Sequence, residues 1–398
     1  MLVDFRPSLS LPMPDTQLAL AAAPEAFLPY GRQRIEDEDI AAVVEALRAD
    51  YLTTGPKVGA FERAFASFCG AKEAVAVNSG TAALHAAMRA IGIKAGDEVI
   101  VPAITFAASA NAVVYEGGTP VFADVEPDTL LIDAASVEQK ITPRTKAIVA
   151  VDYAGQPADY AALRELARAH GLYLIADACH APGGSFKGRS VGTLGDISCF
   201  SFHPVKHLTT CEGGMCVTDD ADLATHMRRF RNHGIDSDHA RREQTGTFRY
   251  DMVELGYNYR LPDVQCALGL AQLRRLPDWL AARRTVADAY ARAFAKMPQA
   301  GPRGVRDDRE HAWHLYVVRL ADHLDRDRAF AALRAQRIGA NVHYTPVHLL
   351  AFYRARGYGP GLCPVAEREA DRVLTLPMFV GMDERDVERV VEAVANLR

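Results

Sequence analysis

Between residues 72 and 181 the chain alternates between short apolar runs and stretches of helical period. EAVAVNSGT gives way to AALHAAMRAIGI; DEVIVPA, NAVVYEGG, TPVFADV and TKAIVAVDYAG follow, then YAALRELARAHG and LYLIADACHA. Short β-rich runs set between amphipathic helical segments predict βαβ units around a mostly parallel sheet, an α/β fold. Several runs end in Gly, Asp or Asn. In open α/β sheets the loops at those carboxyl ends are where ligands bind.

After about residue 262 the pattern changes. PDVQCALGLAQLRRLPDWLAARRTVADAYARAFAKM predicts a long helix starting near 263. HLYVVRL reads as a period-2 strand, DRDRAFAALRAQRIG as a capped helix and ANVHYTPV as another strand. The chain therefore divides into an N-terminal extension (1–28), a large domain carrying the central sheet (29–262), and a linking helix with a smaller C-terminal α+β domain (263–398). With 398 residues, 49% of them hydrophobic, there is apolar material for both cores.

Composition removes several function classes. A net charge of −5 offers no electrostatic footprint for nucleic acid or an anionic membrane. The longest apolar stretch, VIVPAITFAASANAVVY from Val99, is broken by Pro102 and too short to span a bilayer. LALAAAPEAF from Leu18 resembles a short signal core, but Asp4 offsets Arg6 and the positive leader is missing, so it reads as a loose extension. Cys69, Cys179, Cys199, Cys211, Cys216, Cys266 and Cys363 are scattered singly. An odd number without paired spacing argues for a reducing, cytoplasmic setting and against a disulfide framework or a zinc site.

Several motifs each admit a plain reading. NSGTAALHAAM, from Asn78, turns from a strand straight into a helix and makes an anion site there, or an ordinary N-cap by Ser79 or Thr81. LYLIADACHA ends a buried strand in Asp177, which needs a partner: a cationic ring nitrogen of a cofactor, a nearby lysine or a turn. GGSFKGRS, from Gly183, only mimics a P-loop, because Arg189 stands where the phosphate lysine belongs. No G-x-G-x-x-G follows a strand, which counts against a nicotinamide enzyme. His203 and His207 are spaced as helical metal ligands, but Pro204 lies between them and no metal site is expected. MRRFRNHG, from Met227, is a solvated helix face or a contact for a phosphorylated substrate.

SFHPVKHLTTCEGG places a single lysine, Lys206, among small and apolar residues. A phosphate cradle, an aspartate at a strand end and a sheltered lysine are together the parts of a pyridoxal phosphate site. The aldehyde condenses with the lysine, the pyridine nitrogen pairs with the carboxylate, and N–H donors hold the phosphate. A sheltered lysine loses its proton more readily, and the neutral amine is the form that reacts.

The order LTTGPKV, NSGTAALHAA, AITFAASANAV, TKAIVAVDYAG, IADACHAPGG, SFHPVKHLTTCEGG, GYNYRLPD and NVHYTP resembles the DegT/StrS-type nucleotide-sugar aminotransferases, fold-type-I pyridoxal phosphate enzymes, from about Tyr30 to Arg398. The resemblance implies roles. Lys206 is the Schiff-base lysine and proton shuttle, Asp177 the partner of the pyridine nitrogen, and Phe106 the aromatic on the ring face. His180 lies near the phenolic oxygen. Thr81, Ala82 and Ser201 contact the phosphate, and Asn258 and Arg260 complete its cradle in the partner subunit of a homodimer with shared sites. Tyr30, His343 and Tyr344 line the sugar pocket.

In this family a histidine in place of the lysine leads to dehydration; Lys206 implies transamination. L-Glutamate would leave pyridoxamine phosphate, and the amine would pass to C4 of a UDP-4-keto-6-deoxy-hexose in pseudaminic acid biosynthesis. LTTGPK and HAWHLYVVR also resemble the enzyme that makes UDP-4-amino-4-deoxy-L-arabinose. A catalytically silent pyridoxal phosphate-binding regulator is the alternative from another class; it needs a DNA-binding module or a damaged site, and neither is visible.

Overall fold

Among the described residues, nine strands precede the long helix: β1 Glu73–Val77, β2 Glu98–Pro102, β3 Thr119–Ala123, β4 Thr145–Val151, β5 Tyr173–Asp177, β6 Ser185–Phe186, β7 Arg189–Ser190, β8 Ile197–Ser201 and β9 Gly214–Thr218. Seven of them form one sheet in the order β1-β9-β8-β5-β4-β2-β3. All neighbours run parallel except β9, which is antiparallel to both β1 and β8. This computed structural model describes residues 26–237, 242 and 245–398. Most of the expected N-terminal extension, residues 1–25, lies outside the described residues.

Side chains alternate across each strand, and the sheet is covered on both faces. Val75, Val77, Val99, Val101, Val149 and Ile175 enter one core; Ala74, Ala76, Ile100, Ile148, Leu174 and Ala176 enter the other. The first face packs under the helices Gly80–Ala90 and Ala221–Phe230. The second packs under Pro56–Cys69 and the long helix Asp263–Phe294. One run departs from the strand pattern: NAVVYEGG ends the helix Ala108–Tyr115, because the alanines before it extend the helical stretch upstream. GGSFKGRS is a hairpin of β6 and β7, turning at Lys187 and Gly188 with positive φ.

The long helix enters two cores. Cys266, Leu273, Leu276 and Trp279 lie under the large sheet, whereas Val286, Tyr290 and Phe294 pack on a second sheet. That sheet is antiparallel, β10 Ala300–Pro302, β12 Tyr316–Leu320 and β13 Val373–Leu376, with β11 Arg309–Glu310 pairing instead with β6. The capped helix expected after HLYVVRL spans Arg326–Ala335, with Asp325 accepting from the Arg328 N–H.

ANVHYTPV is not a strand. Only an isolated bridge joins Asn341 to Thr375. Beyond it, the His343 carbonyl accepts from the Tyr153 hydroxyl, the His343 ring bonds Thr375 Oγ1 at 2.7 Å, and Pro346 has no N–H to offer a ladder. Residues 28–30 lie against the same region: Leu28 N–H donates to Arg337 O (3.0 Å), Gly339 N–H to Leu28 O (2.7 Å) and Met378 N–H to Tyr30 O (2.9 Å).

Gly155 marks where the two parts meet. Its φ is +105°, and a Cβ there would stand 2.9 Å from His180 O, His314 N and Trp313 N. Its carbonyl accepts from Ala312 N–H at 2.8 Å. Gly155→Ala should destabilise the protein by at least about 2 kcal/mol through strain and overpacking, read as a lowered denaturation midpoint. An unchanged midpoint would contradict this close approach.

Candidate active site

The carboxyl ends of β4, β5 and β8 lie side by side, with Val151 and Cys199 opposite Asp177. Asp177, only 5% exposed, accepts from Ser109 Oγ at 2.6 Å and from Cys179 N–H at 3.3 Å. Ser109 is held in turn by Thr105 Oγ1 at 2.7 Å. A carboxylate has about four lone-pair sites, so two remain for a further donor.

Lys206 follows β8 and keeps intermediate exposure. Burial of the amine lowers its pKa below the ordinary 10.5, against the attraction of Asp177, which works to raise it. Desolvation also pushes the Cys179 thiol well up, leaving it protonated.

Histidines crowd this region. His180 is buried, bonded through Nε2 to the Tyr344 hydroxyl at 3.1 Å, and its ring lies 4.4 Å from that of His314. His207 lies 5.3 Å from His314. Burial drives His180, His207 and His314 well below the usual 6.5, and His343 to about 3. At neutral pH these rings carry no charge.

Tyr344 links the group outwards. Its ring is 6.0 Å from Phe106, which is 59% exposed, and 4.9 Å from His343. Tyr30 lies 5.6 Å from His343. The chain thus brings together Asp177, Lys206, His180, Phe106, Tyr344, His343 and Tyr30.

The helix Gly80–Ala90 points its N-terminus at the same place. Ser79 caps it, accepting from Ala82 N–H at 3.0 Å. With Ala82 engaged, the N–H groups of Gly80 and Thr81 are left for an anion. A Cβ on Gly80 would meet Ser201 Cβ at 2.8 Å and Cys179 Sγ at 3.4 Å, so the helix start abuts both strand ends.

Asn258 and Arg260 are placed otherwise. Asn258 is exposed, its carbonyl accepting from Asn78 Nδ2 at 3.5 Å, and Arg260 donates to Asn232 Oδ1 at 2.8 Å. Neither has a contact to the Lys206 group within the described residues of one protomer.

Residues 33–395 match the DegT/DnrJ/EryC1/StrS aminotransferase family. The chain belongs to that family. It is 42% identical over 377 residues to the spore coat polysaccharide biosynthesis protein SpsC of Bacillus subtilis (strain 168), covering 93% of this chain and 97% of SpsC. The putative sugar aminotransferase Spr1654 of Streptococcus pneumoniae, in its PMP form, superposes with a TM-score of 0.87 at 31% identity over 92% of this chain and 98% of that one. Helicobacter pylori PseC, an aminotransferase involved in the biosynthesis of pseudoaminic acid, gives 0.87 at 32% over the same shares.

The protein is accordingly a pyridoxal phosphate-dependent sugar aminotransferase. Its own residues fit that group. A buried carboxylate with open lone pairs suits a protonated ring nitrogen, an amine depressed by burial suits condensation, and a free helix N-terminus suits a phosphate. His180 Nδ1 is buried without a partner among the described residues, a polar atom still to be met. Among those residues no helix is long and apolar enough to cross a membrane, and no group of three or more His, Cys, Asp or Glu could hold a metal.

Sequence reasoning missed Ser109, Tyr153, Asp152, His314 and Arg283. Ser109 sits inside AITFAASANAV and HAWHL carries two histidines, polar residues in apolar company that signal a buried partner. Asp152 is fully buried; Ala158 N–H (3.0 Å) and Tyr160 Oη (2.9 Å) donate to its Oδ1, and Oδ2 has no partner among the described residues. Burial raises it to about 8, with Asp177 adding repulsion, so it is largely protonated at neutral pH. Unfolded, it titrates near 3.8. Between those values the folded state holds the extra proton, so its contribution is full below 3.8 and lost as pH rises through about 8. Relative to Asp152→Asn, the wild type should lose melting temperature from about pH 5 to about pH 9. A pH-independent difference would show that Asp152 is ionised in the fold.

Proposed function

We propose that the protein moves an amino group from L-glutamate to C4 of a UDP-4-keto-6-deoxy-hexose in pseudaminic acid biosynthesis, as a homodimer whose subunits share each active site. The observation that carries the chemistry is the depressed Lys206 amine within electrostatic reach of the buried Asp177 carboxylate.

When bound, pyridoxal phosphate supplies a carbonyl that condenses with amines and a ring that draws off the electron pair left by a departing proton. The chain's residues do the rest. Lys206 Nζ, more often neutral than a surface lysine, takes the proton from the substrate carbon and returns it. Asp177, fixed by Ser109, would pair with the protonated ring nitrogen. Gly80 and Thr81 N–H groups with the Ser201 hydroxyl would hold the phosphate. Tyr344 bonds His180 Nε2, and His180 would meet the phenolic oxygen while Phe106 would cover a ring face. Tyr30, His343 and Tyr344 read the sugar; a neutral imidazole and two phenols suit its hydroxyl and amide groups.

The likeness to H. pylori PseC supports this pathway. The higher identity to SpsC favours a second reading, a keto-sugar destined for a surface polysaccharide. The shared site is supported by an exposed apolar arm, with Phe248 85%, Leu255 68% and Tyr250 61% exposed, leading into Asn258. A second copy would cover it.

Purified protein should show a pyridoxal absorbance band and aminate the pseudaminic precursor with glutamate faster than other UDP-4-keto sugars, read by product mass. Preference for a different sugar would overturn the substrate assignment. Lys206→Ala should lose both band and turnover. Mixing Lys206→Ala with Asn258→Ala chains should restore activity, because one site of the mixed dimer is then intact. Two inactive variants that stay inactive after subunit exchange would place both residues in one chain's site.

A further inference from the structure

Between the lysine loop and the long helix lies a small cavity of about 10 Å³. That is about the volume needed for a single water. Lys206, His207 and Thr209 line one side, and Gln272, Trp279 and Arg283 the other.

Most polar groups on its wall are already matched. Gln272 Nε2 donates to Arg34 O at 3.0 Å and Asp39 Oδ2 at 2.6 Å, while its Oε1 accepts from Thr209 N–H at 3.3 Å. Thr209 Oγ1 donates to Phe202 O and accepts from Cys211 N–H. Two wall residues keep a buried polar atom with no partner among the described residues: Arg283 Nε and His207 Nδ1.

Their chemistry is complementary. Arg283 is 1% exposed, and one terminal nitrogen serves the carbonyls of Trp313 (3.2 Å), His314 (3.3 Å) and Met378 (3.2 Å). Burial brings it down to about 10, so it stays charged at neutral pH and its Nε–H is a donor. His207 Nε2 faces Ala312 O at 2.8 Å. A carbonyl only accepts, so Nε2 carries the hydrogen and Nδ1 is an acceptor. A donor and an acceptor left over beside a water-sized space, with an amine on the same wall, match the bonding of one water.

We propose that this cavity is a water site: one molecule accepts from Arg283 Nε–H, donates to His207 Nδ1 and bonds the Lys206 amine, serving as its proton-exchange partner. The proposal rests on the reading of Lys206 as proton carrier given above. When Lys206 Nζ takes a deuteron from a labelled carbon, the water accepts it and returns a proton. An N–D bond is replaced by N–H and an O–H by O–D, with no change of charge or oxidation state. Arg32 and Gln33, both exposed, also border the cavity and open it to solvent exchange. Arg283 and His207 are then positioning residues, acting on Lys206 through the water.

Two measurements test this. A high-resolution crystal structure of the holoenzyme should show a water within hydrogen-bond distance of Arg283 Nε and His207 Nδ1; a dry or collapsed cavity overturns the proposal. Turnover with glutamate deuterated at Cα should yield little deuterium in the amino sugar for wild type. Arg283→Lys, which keeps the cation but lacks Nε, and His207→Phe should retain several-fold more. A slower reaction with an unchanged deuterated fraction would mean a purely structural role and sink the relay. Should neither variant fold, the wild-type density decides. Should wild type aminate no keto-sugar, the assignment of Lys206 falls instead, and the density still judges the cavity.

Discussion

Asp177 sits almost sealed at the carboxyl end of β5, and a carboxylate taken from water costs several kcal/mol unless its lone pairs are met. Meeting them organises the neighbourhood. Ser109 must reach it from the helix Ala108–Tyr115, which fixes the loop bearing Phe106. Asp152, one residue beyond β4, stays protonated beside it, because its own burial disfavours the charged form and Asp177 adds a smaller repulsion. Asp177 attracts the Lys206 amine and works against the lowering that burial imposes on it.

The same economy holds for positive charge. His180, His207, His314 and His343 surround Lys206, and four imidazolium ions there would suppress any cationic amine. Burial keeps all four neutral. They then serve as shape and as hydrogen-bonding groups, His180 to Tyr344, His343 to Thr375 and His207 to Ala312. Tilted ring contacts of His314 with His180 and His207 hold these neutral imidazoles without a charge to desolvate.

The parallel strands were legible because apolar runs covered on both faces leave a continuous signal, and Asp177 and Lys206 stood out as charges within such runs. ANVHYTPV misled because β-branched and aromatic residues score as strand wherever they are buried, while its actual bonds go to Tyr153 and Thr375, distant in sequence. NAVVYEGG misled for the opposite reason, a helix end taken out of its alanine context. Arg283 could not be found by pattern. On an Arg-rich helix its sequence neighbours give no hint that it alone is buried against three carbonyls.

That arginine also explains how two parts of the chain act on one site. The residues proposed for the chemistry hang from the large sheet, whereas Tyr30, His343 and Tyr344 come from the N-terminal segment and the loop after the helix Arg326–Ala335, joined through Met378 and Thr375. Arg283 binds the carbonyls of both Met378 and His314, tying the segment that holds Tyr30 to the turn that packs on His180 and Gly155. Residues proposed to face the sugar thus lie along one edge, while Lys206 and Asp177 are held by the large sheet at another. A fold built this way would keep one chemistry while the proposed sugar edge changes the carbohydrate it reads.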